Sequence, residues 1–386
     1  MAVTVKSLYK NGAFLYKMDL LAGRGGLANP VKWVHIIEDD AVSPFLHGNE
    51  LVFTAGILNR QEGWLLSFAQ KLREAGASAF VVNLGPHTME VTENVRRYCD
   101  EVDLPLFTIP WETRMVDMTR DFCHRIIQAE QRESTIMTTM KNILFRVGDI
   151  EAQVLQMERF GFQRDSQYCF ACIRAGDGGR LEPDELQSAM KALIEHAMRN
   201  INGQFTTFTY KEFRVVALAN CSQSEIDGFL EEFVAQAARR LGGTMLHIGV
   251  SPNQVGIYSQ NVNFEKAISA MEMAQKCGDV IAHYDRLGIY KVLYAVQDKT
   301  VLRGFYQDSI GKLEQYDREN GTELTVMLRD YLELNGGLQA VAERHFVHRN
   351  TVTNQLKRIE GVTGHNPLDL NEKIMLAMGF YIKDIL

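Results

Sequence analysis

The stretch ERHFVHRNTVTNQLKRIE (residues 343–360) decides how the C-terminal part of this chain folds. Three of its apolar residues recur at the helical spacing i, i+4 and i+7: Val352, Leu356 and Ile359. Side chains at this spacing lie on one face of a helix. We predict that this helix begins near Asn350 and ends before Gly361.

A shorter helix is predicted immediately upstream, from about Leu338 to His345, with Val341 and Ala342 on its inner face together with Leu338. The small Ala342 allows two helices to cross closely, and residues 346–348 (FVH) supply a short turn between them. Two helices joined in this way form a helix-turn-helix, whose second helix enters the DNA major groove.

The outer face of the second helix has the chemistry of a DNA-reading surface. Between Glu343 and Glu360 there are four basic residues and no acidic one, although the whole chain carries 41 basic and 48 acidic residues. Asparagine and arginine bind base edges, and lysine and the N–H groups at a helix start bind phosphates. The predicted contacts are Asn350, Thr351, Thr353, Asn354, Lys357 and Arg358. The alternative is a solvated helical hairpin, but so many middling helix formers in succession argue against it.

The composition permits two or three domains: 386 residues, 46% hydrophobic and 23% charged. No apolar run approaches the roughly 20 residues that span a bilayer, and the N-terminus is a poor signal peptide. We therefore expect a cytoplasmic protein without membrane contact. The net charge of -7 argues against wholesale coating of nucleic acid and is compatible with one local DNA-reading module.

Strands and helices alternate through the first 125 residues, which predicts a mostly parallel α/β domain. The predicted strands are 31–38, 50–56, 78–84 and 105–111, and the predicted helices are 60–77 and 90–102.

The segment 113–150 contains no proline and predicts one long helix. Its apolar seam comprises Met115, Phe122, Ile126, Ala129, Ile136, Met140, Ile143 and Val147. We assign residues 126–158 to a connector that also pairs with a second subunit; an ordinary core helix is the alternative. The polar run 128–134 is predicted to be exposed or to break the helix.

A second α/β pattern fills residues 159–298, and residues 299–386 are predicted to be all helical. The strands of the second pattern are 167–175, 204–210, 213–220 and 244–251, with helices over 183–201, 224–242 and 263–278.

Residues 334–364 resemble the C-terminal helix-turn-helix of the PucR family, the purine-catabolism regulators. The run His348-Arg349-Asn350-Thr351 matches the family's His-Arg-Asn-Thr opening of the recognition helix, and Arg358 to Gly361 match the downstream pattern. The resemblance adds His348 and Arg349 to the predicted DNA contacts. Gln355 replaces an arginine that many relatives carry, which implies a different base preference.

The resemblance extends along the whole chain. Gly48, Glu50, Leu51, Thr54 and Gly56 match the N-terminal PucR domain, as does IPWETR (109–114), and residues 255–293 resemble the close of a GGDEF-like domain. It implies a sensor domain (1–125), a connector (126–158), a GGDEF-like domain (159–298) and a helix-turn-helix domain (299–386).

The GGDEF-like domain is predicted to have no cyclase activity. Its turn reads TYKEF (209–213), so both glycines are missing and Lys211 replaces an acid that a magnesium site requires. Packing, pairing or relaying a signal is the expected role.

No catalytic residue, metal site or cofactor is predicted. Cys169 and Cys172 form a lone CxxC inside a strand-like segment, which predicts buried thiols rather than zinc. His35 and Glu38 are too isolated to name a metal site, and GRGG (23–26) lacks the pattern of a phosphate loop.

Ligands of open α/β sheets bind beyond the carboxyl ends of the strands. Candidate ligand-binding residues there offer a carboxylate, a hydroxyl, an amide and an indole, which suit a small polar, planar molecule. They are Glu38, Thr54, Gly56, Asn83 and Trp111, and Glu50, which matches the family pattern, is a further candidate ligand-binding residue. The alternative for each residue alone is structural: Glu50 and Thr54 tie down loops, and Trp111 belongs to the core.

The predicted function is ligand-responsive, sequence-specific transcriptional regulation of a catabolic operon, as an activator. By the resemblance, the effector is a purine-pathway or related nitrogen metabolite. The expected partners are operator DNA, this effector, RNA polymerase and a second copy of the chain. The second copy is expected because one helix-turn-helix makes few base contacts. The alternatives are an α/β enzyme with an unrelated helical tail and a constitutive DNA-binding scaffold with a dead sensor.

Overall fold

The computed structural model describes residues 3–58, 63–176, 182–296 and 298–386. The chain divides into two compact units, Met1–Thr138 and Thr139–Leu386. Residues 60–62, the start of the helix predicted over 60–77, lie outside the described residues.

Unit 1 has the alternating strands and helices that the sequence predicts, preceded by a helix and a strand that the prediction missed. Its elements are α1 (Val5–Tyr16), β1 (Asp19–Ala22), β2 (Trp33–Ile36), β3 (Glu50–Thr54), α2 (Trp64–Glu74), β4 (Ala79–Leu84), α3 (Glu93–Glu101), β5 (Leu106–Pro110) and the first part of α4 (Met115–Leu144).

The sheet of unit 1 has the strand order β1-β5-β4-β3-β2. Strands β2 to β5 are parallel, and β1 adds an antiparallel edge. Every residue of β3 is buried, as expected where both faces of a parallel sheet are covered. Phe80 packs on one face beneath Phe68 of α2, and Phe53 packs on the other face beneath Phe122 of α4. The prediction of a mostly parallel α/β domain is confirmed.

Helix α4 is a single helix of 30 residues, as predicted, and it continues through the polar run 128–134. Most of the apolar residues of the predicted seam pack inside one of the two units. Phe122 and Ile126 lie in the core of unit 1, and Met140 and Ile143 are buried in unit 2. Val147 is not in the helix, because residues 146 and 148 adopt left-handed conformations that end it, and its side chain is exposed.

Unit 2 continues from the end of α4. Its further elements are α5 (Ile150–Glu158), β6 (Gln167–Ala175), α6 (Pro183–Ala197), β7 (Gln204–Tyr210), β8 (Phe213–Ala219), α7 (Gln223–Arg240), β9 (Leu246–Val250), β10 (Gln254–Val255), α8 (Gln260–Cys277), β11 (Ile281–His283), α9 (Tyr290–Ala295), α10 (Lys299–Tyr306), α11 (Lys312–Asn320), α12 (Leu324–Glu333), α13 (Leu338–Arg344), α14 (Arg349–Thr363) and α15 (Leu370–Lys383).

The sheet of unit 2 has the order β11-β9-β6-β8-β7, with the short β10 beside β6. Most of its pairs are antiparallel, and only β9 and β11 run parallel. All four predicted strands are present, whereas β10 and β11 were missed because they have two and three residues. Cys169 and Cys172 are buried on β6, as predicted, and burial raises the pKa of the Cys169 thiol to about 12.

The hairpin between β7 and β8 turns at Lys211 and Glu212. Lys211 has a positive φ of 50°, in the region that favours glycine. Next to the turn, the ring of Tyr210 stacks on Phe145 with a centroid distance of 4.9 Å and also contacts Phe264 at 5.7 Å. The turn is therefore anchored by aromatic packing at the end of α4.

The described residues after 298 form helices and turns only, as predicted. A π-helical segment, Gln307–Gly311, joins α10 to α11, and Ser309 within it lies against Gly379 of α15, where a Cβ atom would come within 2.3 Å of the serine hydroxyl. Among the described residues, no helix is long and apolar enough to cross a membrane.

Candidate nucleic-acid interface and ligand site

Helix α14 is the predicted recognition helix. His348 caps its N-terminus: the imidazole Nδ1 accepts a hydrogen bond from the Asn350 N–H at 3.2 Å. Because Nδ1 is the acceptor, the ring proton lies on Nε2, which remains a donor at the surface. The sequence analysis predicted His348 as a DNA contact and missed its role as the cap.

The predicted end of this helix is wrong by three residues. Gly361 lies inside α14, which ends where Gly364 adopts a left-handed conformation with φ 79°. A mid-helix glycine costs about 1 kcal/mol relative to alanine. Packing offsets that cost, because Thr363 continues the buried face set by Val352, Leu356 and Ile359.

The buried face of α14 packs against α12 and α13 in one apolar core. At the end of α13, the Asp330 carboxylate of α12 accepts hydrogen bonds from Arg344 and His345, both at 2.6 Å. Burial alone raises the pKa of Asp330, but the hydrogen bonds from Arg344 and His345 outweigh it and lower the pKa. This ion-paired corner fixes the angle at which α13 enters the turn.

All eight predicted DNA contacts lie on α14 or at its cap, and every one except the half-buried Thr353 is exposed. Three of them form the outermost line of the helix: Asn350, Asn354 and Lys357. Within the described part of the chain, the structure gives these three side chains no hydrogen bond or ion pair.

Two predicted contacts have internal partners. The Arg358 guanidinium donates to the Tyr316 hydroxyl, at 3.0 Å from Nε, and lies over that ring. The Thr353 hydroxyl donates to the Arg349 carbonyl at 3.1 Å. Both residues thus belong to the edges of the outer face, with Arg358 held toward α11.

The expectation of free N–H groups at the start of α14 is wrong for residues 350 and 351. The Asn350 N–H is bound by the His348 ring, and the Thr351 N–H donates to the His348 carbonyl at 2.8 Å. Gln355 is half-buried and its Oε1 atom is enclosed, so this side chain does not lie on the outer line with Asn354.

In unit 1, the structure brings Glu38, Thr54 and Gly56 together at the carboxyl edge of the sheet. The Glu38 carboxylate accepts the Ala55 N–H at 2.8 Å and the Ile57 N–H at 2.9 Å, and Thr54 lies beside it. The Gly56 N–H donates to the Thr54 hydroxyl at 3.3 Å. These groups tie β2 to the loop after β3, in line with the structural alternative for Thr54.

A second corner of the same edge contains Asn83, at the end of β4, and Trp111, which follows β5. The Asn83 amide donates to the Thr113 carbonyl at 3.4 Å, while its Oδ1 atom is buried without a partner among the described residues. Trp111 is 43% exposed, so it is not a core residue. Its ring covers Gly85, where a Cβ atom would lie 2.2 Å away, and His87 lies against it at 5.9 Å. The roles of Gly85 and His87 had no sequence signal.

Glu50 does not join this edge, although it was predicted among the ligand-binding residues. It is the first residue of β3, so it lies at the amino end of a strand whose carboxyl end carries Thr54. It is buried, and one carboxylate oxygen accepts the His47 N–H at 2.8 Å. The structural alternative for Glu50, a group that ties down a loop, describes this placement.

Among the described residues, no group of three or more histidine, cysteine, aspartate or glutamate side chains is arranged to hold a metal ion.

Comparison with known proteins finds two similar transcriptional activators. The chain is 24% identical over 135 residues to the DNA-binding transcriptional activator AdeR of Bacillus subtilis (strain 168), covering 33% of this chain and 32% of that one. It is 20% identical over 259 residues to the proline-responsive transcriptional activator PutR of the same organism, covering 64% and 62%. The chain thus spans less than two thirds of the length of either relative.

One solved structure, the regulator of polyketide synthase expression from Bifidobacterium adolescentis, is similar at 18% identity and covers 65% of this chain and 98% of that one. Its TM-score of 0.31 is too low to show a shared overall fold.

Two family models match the chain directly. Residues 7–126 match the purine catabolism regulatory protein-like family (PucR), and residues 324–382 match the PucR C-terminal helix-turn-helix domain. The second match contains the whole of α13 and α14, and the first contains the five-stranded sheet of unit 1. The chain therefore contains one region that matches the N-terminal domain of the PucR family and a second that matches its C-terminal helix-turn-helix domain, in the order that the resemblance implies.

Proposed function

We propose that this protein is a ligand-responsive transcriptional activator that binds operator DNA through α14 as at least a dimer. The observation that carries the proposal is the outer line of α14, where Asn350, Asn354 and Lys357 are exposed on a helix whose opposite face is locked into a core. Amides and an ammonium group presented in this way fit base edges and phosphates.

The similarity to two transcriptional activators supports activation rather than repression, with RNA polymerase as a partner. A constitutive scaffold fits less well, because the carboxyl edge of unit 1 carries the half-exposed indole of Trp111 and a buried amide oxygen of Asn83 that has no partner among the described residues. An enzyme with a helical tail is the weaker candidate, since the turn at Lys211 and Glu212 lacks the glycines and the first acid of a cyclase turn.

We assign the effector to the small, planar nitrogen compounds and place it at the Asn83–Trp111 corner. A planar ligand stacks on the exposed indole, and an N–H group of that ligand suits the Asn83 oxygen, which has no partner among the described residues. Purine-pathway metabolites have this chemistry. Proline, which appears in the name of one relative, is the natural competing candidate.

Coupling between effector and operator is expected to be modest. A tenfold change in DNA affinity needs about 1.4 kcal/mol of coupling free energy, and the operator must then change effector affinity by the same factor. The effector acts only to the extent that it binds two subunit arrangements with different affinity.

The test begins with the full-length chain and a random duplex library, from which the preferred DNA sequence is selected. A thermal-shift screen of purine metabolites, related nitrogen compounds and proline then identifies the effector. Effector titrations with and without the selected duplex measure the coupling, and light scattering measures the assembly on DNA. Failure to enrich any sequence overturns the DNA-binding proposal, and a monomer on DNA overturns the pairing proposal.

A further inference from the structure

The turn of the helix-turn-helix carries a side chain that neither the fold nor the predicted contacts explain. Phe346 is 96% exposed, more than any other large apolar side chain in the described ranges. Its backbone has a positive φ of 55°, a conformation that bulky residues with a Cβ atom rarely adopt. The chain therefore keeps a phenyl ring in water at a backbone position that suits glycine.

The backbone conformation itself has a clear local purpose. The Phe346 N–H donates to the Glu343 carbonyl at 3.3 Å, and the Val347 N–H donates to the Ala342 carbonyl at 2.9 Å. This pair of hydrogen bonds is the Schellman motif that closes a helix, and its left-handed residue is usually glycine. The motif explains the φ angle at residue 346, but it needs no side chain there.

The phenyl ring adjoins the proposed DNA-binding face. Phe346 lines one open groove together with Val347, His348 and Arg349, and Gln339, Ala342 and Glu343 of α13 complete it. The Glu343 carboxylate is already held by the Gln339 amide at 3.0 Å. A macromolecule that reaches the side chains of His348 and Arg349 must therefore also meet the exposed ring of Phe346.

We propose that Phe346 is a DNA-contacting, specificity-determining residue whose phenyl ring packs on the 5-methyl group of a thymine in the major groove. The thymine methyl is the apolar group that base pairs present in that groove, and phenylalanine is among the side chains that contact it. Burying this methyl against the ring removes apolar surface of both partners from water. The contact extends DNA reading from α14 into the turn that precedes it.

This inference rests on the proposed DNA-binding function, and a glycine substitution tests it without weakening the turn. Phe346→Gly removes the ring and relieves the backbone strain, so its thermal midpoint should equal or exceed that of wild type. Phe346→Asn is the second variant, because asparagine also tolerates the left-handed region. Both are compared as full-length chains on the selected duplex at one fixed salt concentration.

Each thymine of the duplex is then replaced in turn by deoxyuridine, which lacks only the methyl group. Wild type should lose about fourfold in affinity at one thymine of each half-site, the value for one buried methyl group. Phe346→Gly and Phe346→Asn should bind the thymine duplex at least about fourfold more weakly than wild type, because they lose the ring's own buried surface as well, and should show no further loss with deoxyuridine at that position.

Three outcomes overturn the inference while leaving the proposed function intact. In the first outcome the glycine variant binds both duplexes as tightly as wild type does. In the second outcome it binds more weakly, but the affinity of wild type is unchanged by every deoxyuridine. In the third outcome DNA binding is unchanged but transcription falls, which assigns the ring to a protein partner. Asn350→Ala serves as the reference, because its loss of binding confirms that α14 reads DNA. If wild type selects no sequence at all, the proposed function fails first.

Discussion

The outer face of α14 and the carboxyl edge of the sheet in unit 1 were both predicted as binding surfaces. The two surfaces differ in whether their polar side chains have hydrogen-bond partners within the chain. On α14, the predicted residues Asn350, Asn354 and Lys357 project outward with no internal partner in the described part of the chain. At the sheet edge, Glu38 and Thr54 are bound by the backbone of a neighbouring loop. The predicted polar side chains on α14 are thus available to another molecule, whereas those at the sheet edge are already hydrogen-bonded within the chain.

The contrast has a geometric cause. Helical periodicity fixes the direction of each side chain once the buried face is known, so Val352, Leu356 and Ile359 determine which residues face outward. At the end of a strand the chain enters a loop, whose N–H groups need acceptors wherever they are buried. A nearby carboxylate or hydroxyl group is then the most accessible acceptor for these N–H groups, whether or not a ligand also binds that side chain.

The largest effect is expected from removing two groups of the outer line together. Asn350→Ala should cost about 1–3 kcal/mol of specific binding if the amide contacts a base edge. Lys357→Ala should weaken binding to all sequences and reduce the salt slope by about 1. The double variant should lose on the order of 100-fold in affinity for the selected duplex, measured by fluorescence anisotropy over a salt series.

Lys312→Ala is the matched control for the lysine, because Lys312 is also exposed but lies on α11. It should leave both affinity and salt slope unchanged. Equal DNA binding by wild type and the double variant would show that α14 is not the helix that reads DNA. The difference drawn between α14 and the sheet edge of unit 1 would then no longer hold.

The same periodicity explains which parts of the fold and the site were predictable. The long strands, α4, α13 and α14 were found because each repeats an apolar pattern over many residues. The edge strand β1 and the short β10 and β11 were missed, since their pairing depends on distant partners rather than on local pattern. The end of α14 was placed too early, because packing of Thr363 overrides the local preference of Gly361.

Side-chain roles were less predictable than elements. The cap formed by His348 and the partner of Arg358 both depend on where neighbouring segments lie in space. Glu50 was a candidate from a motif match, and such a match does not show that the residue lies at the amino end of β3, away from Thr54. The Gly85–Trp111 contact joins residues from two loops and has no sequence pattern at all.

The next prediction separates a structural carboxylate from a ligand-binding one. Glu38→Ala removes the acceptor of two backbone N–H groups, Ala55 and Ile57. Leaving such groups without a partner costs about 1–3 kcal/mol. We expect the thermal midpoint for unfolding of unit 1, which contains these groups, to fall in the absence of any ligand.

Trp111→Ala is the matched comparison at the same edge, because its half-exposed ring contributes less to the core. It should leave that midpoint nearly unchanged and abolish the thermal shift caused by the effector. A Glu38→Ala protein with normal stability but no effector response would instead place the ligand at Glu38 and make the two regions alike.

The third prediction concerns the corner that holds α13. Asp330→Asn should loosen the helix-turn-helix by about 1–2 kcal/mol, since the neutral amide loses charge-assisted hydrogen bonds to Arg344 and His345. The expected loss of stability is small because Arg344 is 46% exposed and solvent screens its ion pair with Asp330. Hydrogen exchange of α13 and α14 measures the loss locally.

The pH dependence gives an independent check of the same corner. Because the pKa of Asp330 is lowered in the folded protein, its contribution is complete above the ordinary aspartate value of about 3.9. It is lost as pH falls from there through the lowered folded-state value. Protection of α13 and α14 should fall over that acidic range in wild type and less steeply in Asp330→Asn. Glu343→Gln, an exposed acid on α13, should behave as wild type.

The smallest effect is expected at Lys211, which adopts a left-handed conformation as Phe346 does but lies in a hairpin of unit 2. Lys211→Gly relieves a strain of about 1–2 kcal/mol. Glycine returns part of this as added freedom of the unfolded chain, and the ammonium group also leaves the Tyr210 ring, 5.5 Å away. The net gain in stability should therefore be below about 1 kcal/mol, measured by denaturant unfolding. DNA affinity should not change in Lys211→Gly, whereas it should fall in Phe346→Gly.

Neither wild type nor Lys211→Gly should form a cyclic dinucleotide from GTP and magnesium, because one glycine does not restore the missing acid. A product that disappears in Glu212→Ala would show that this hairpin is a catalytic site and that its strain, like that at Phe346, serves a function.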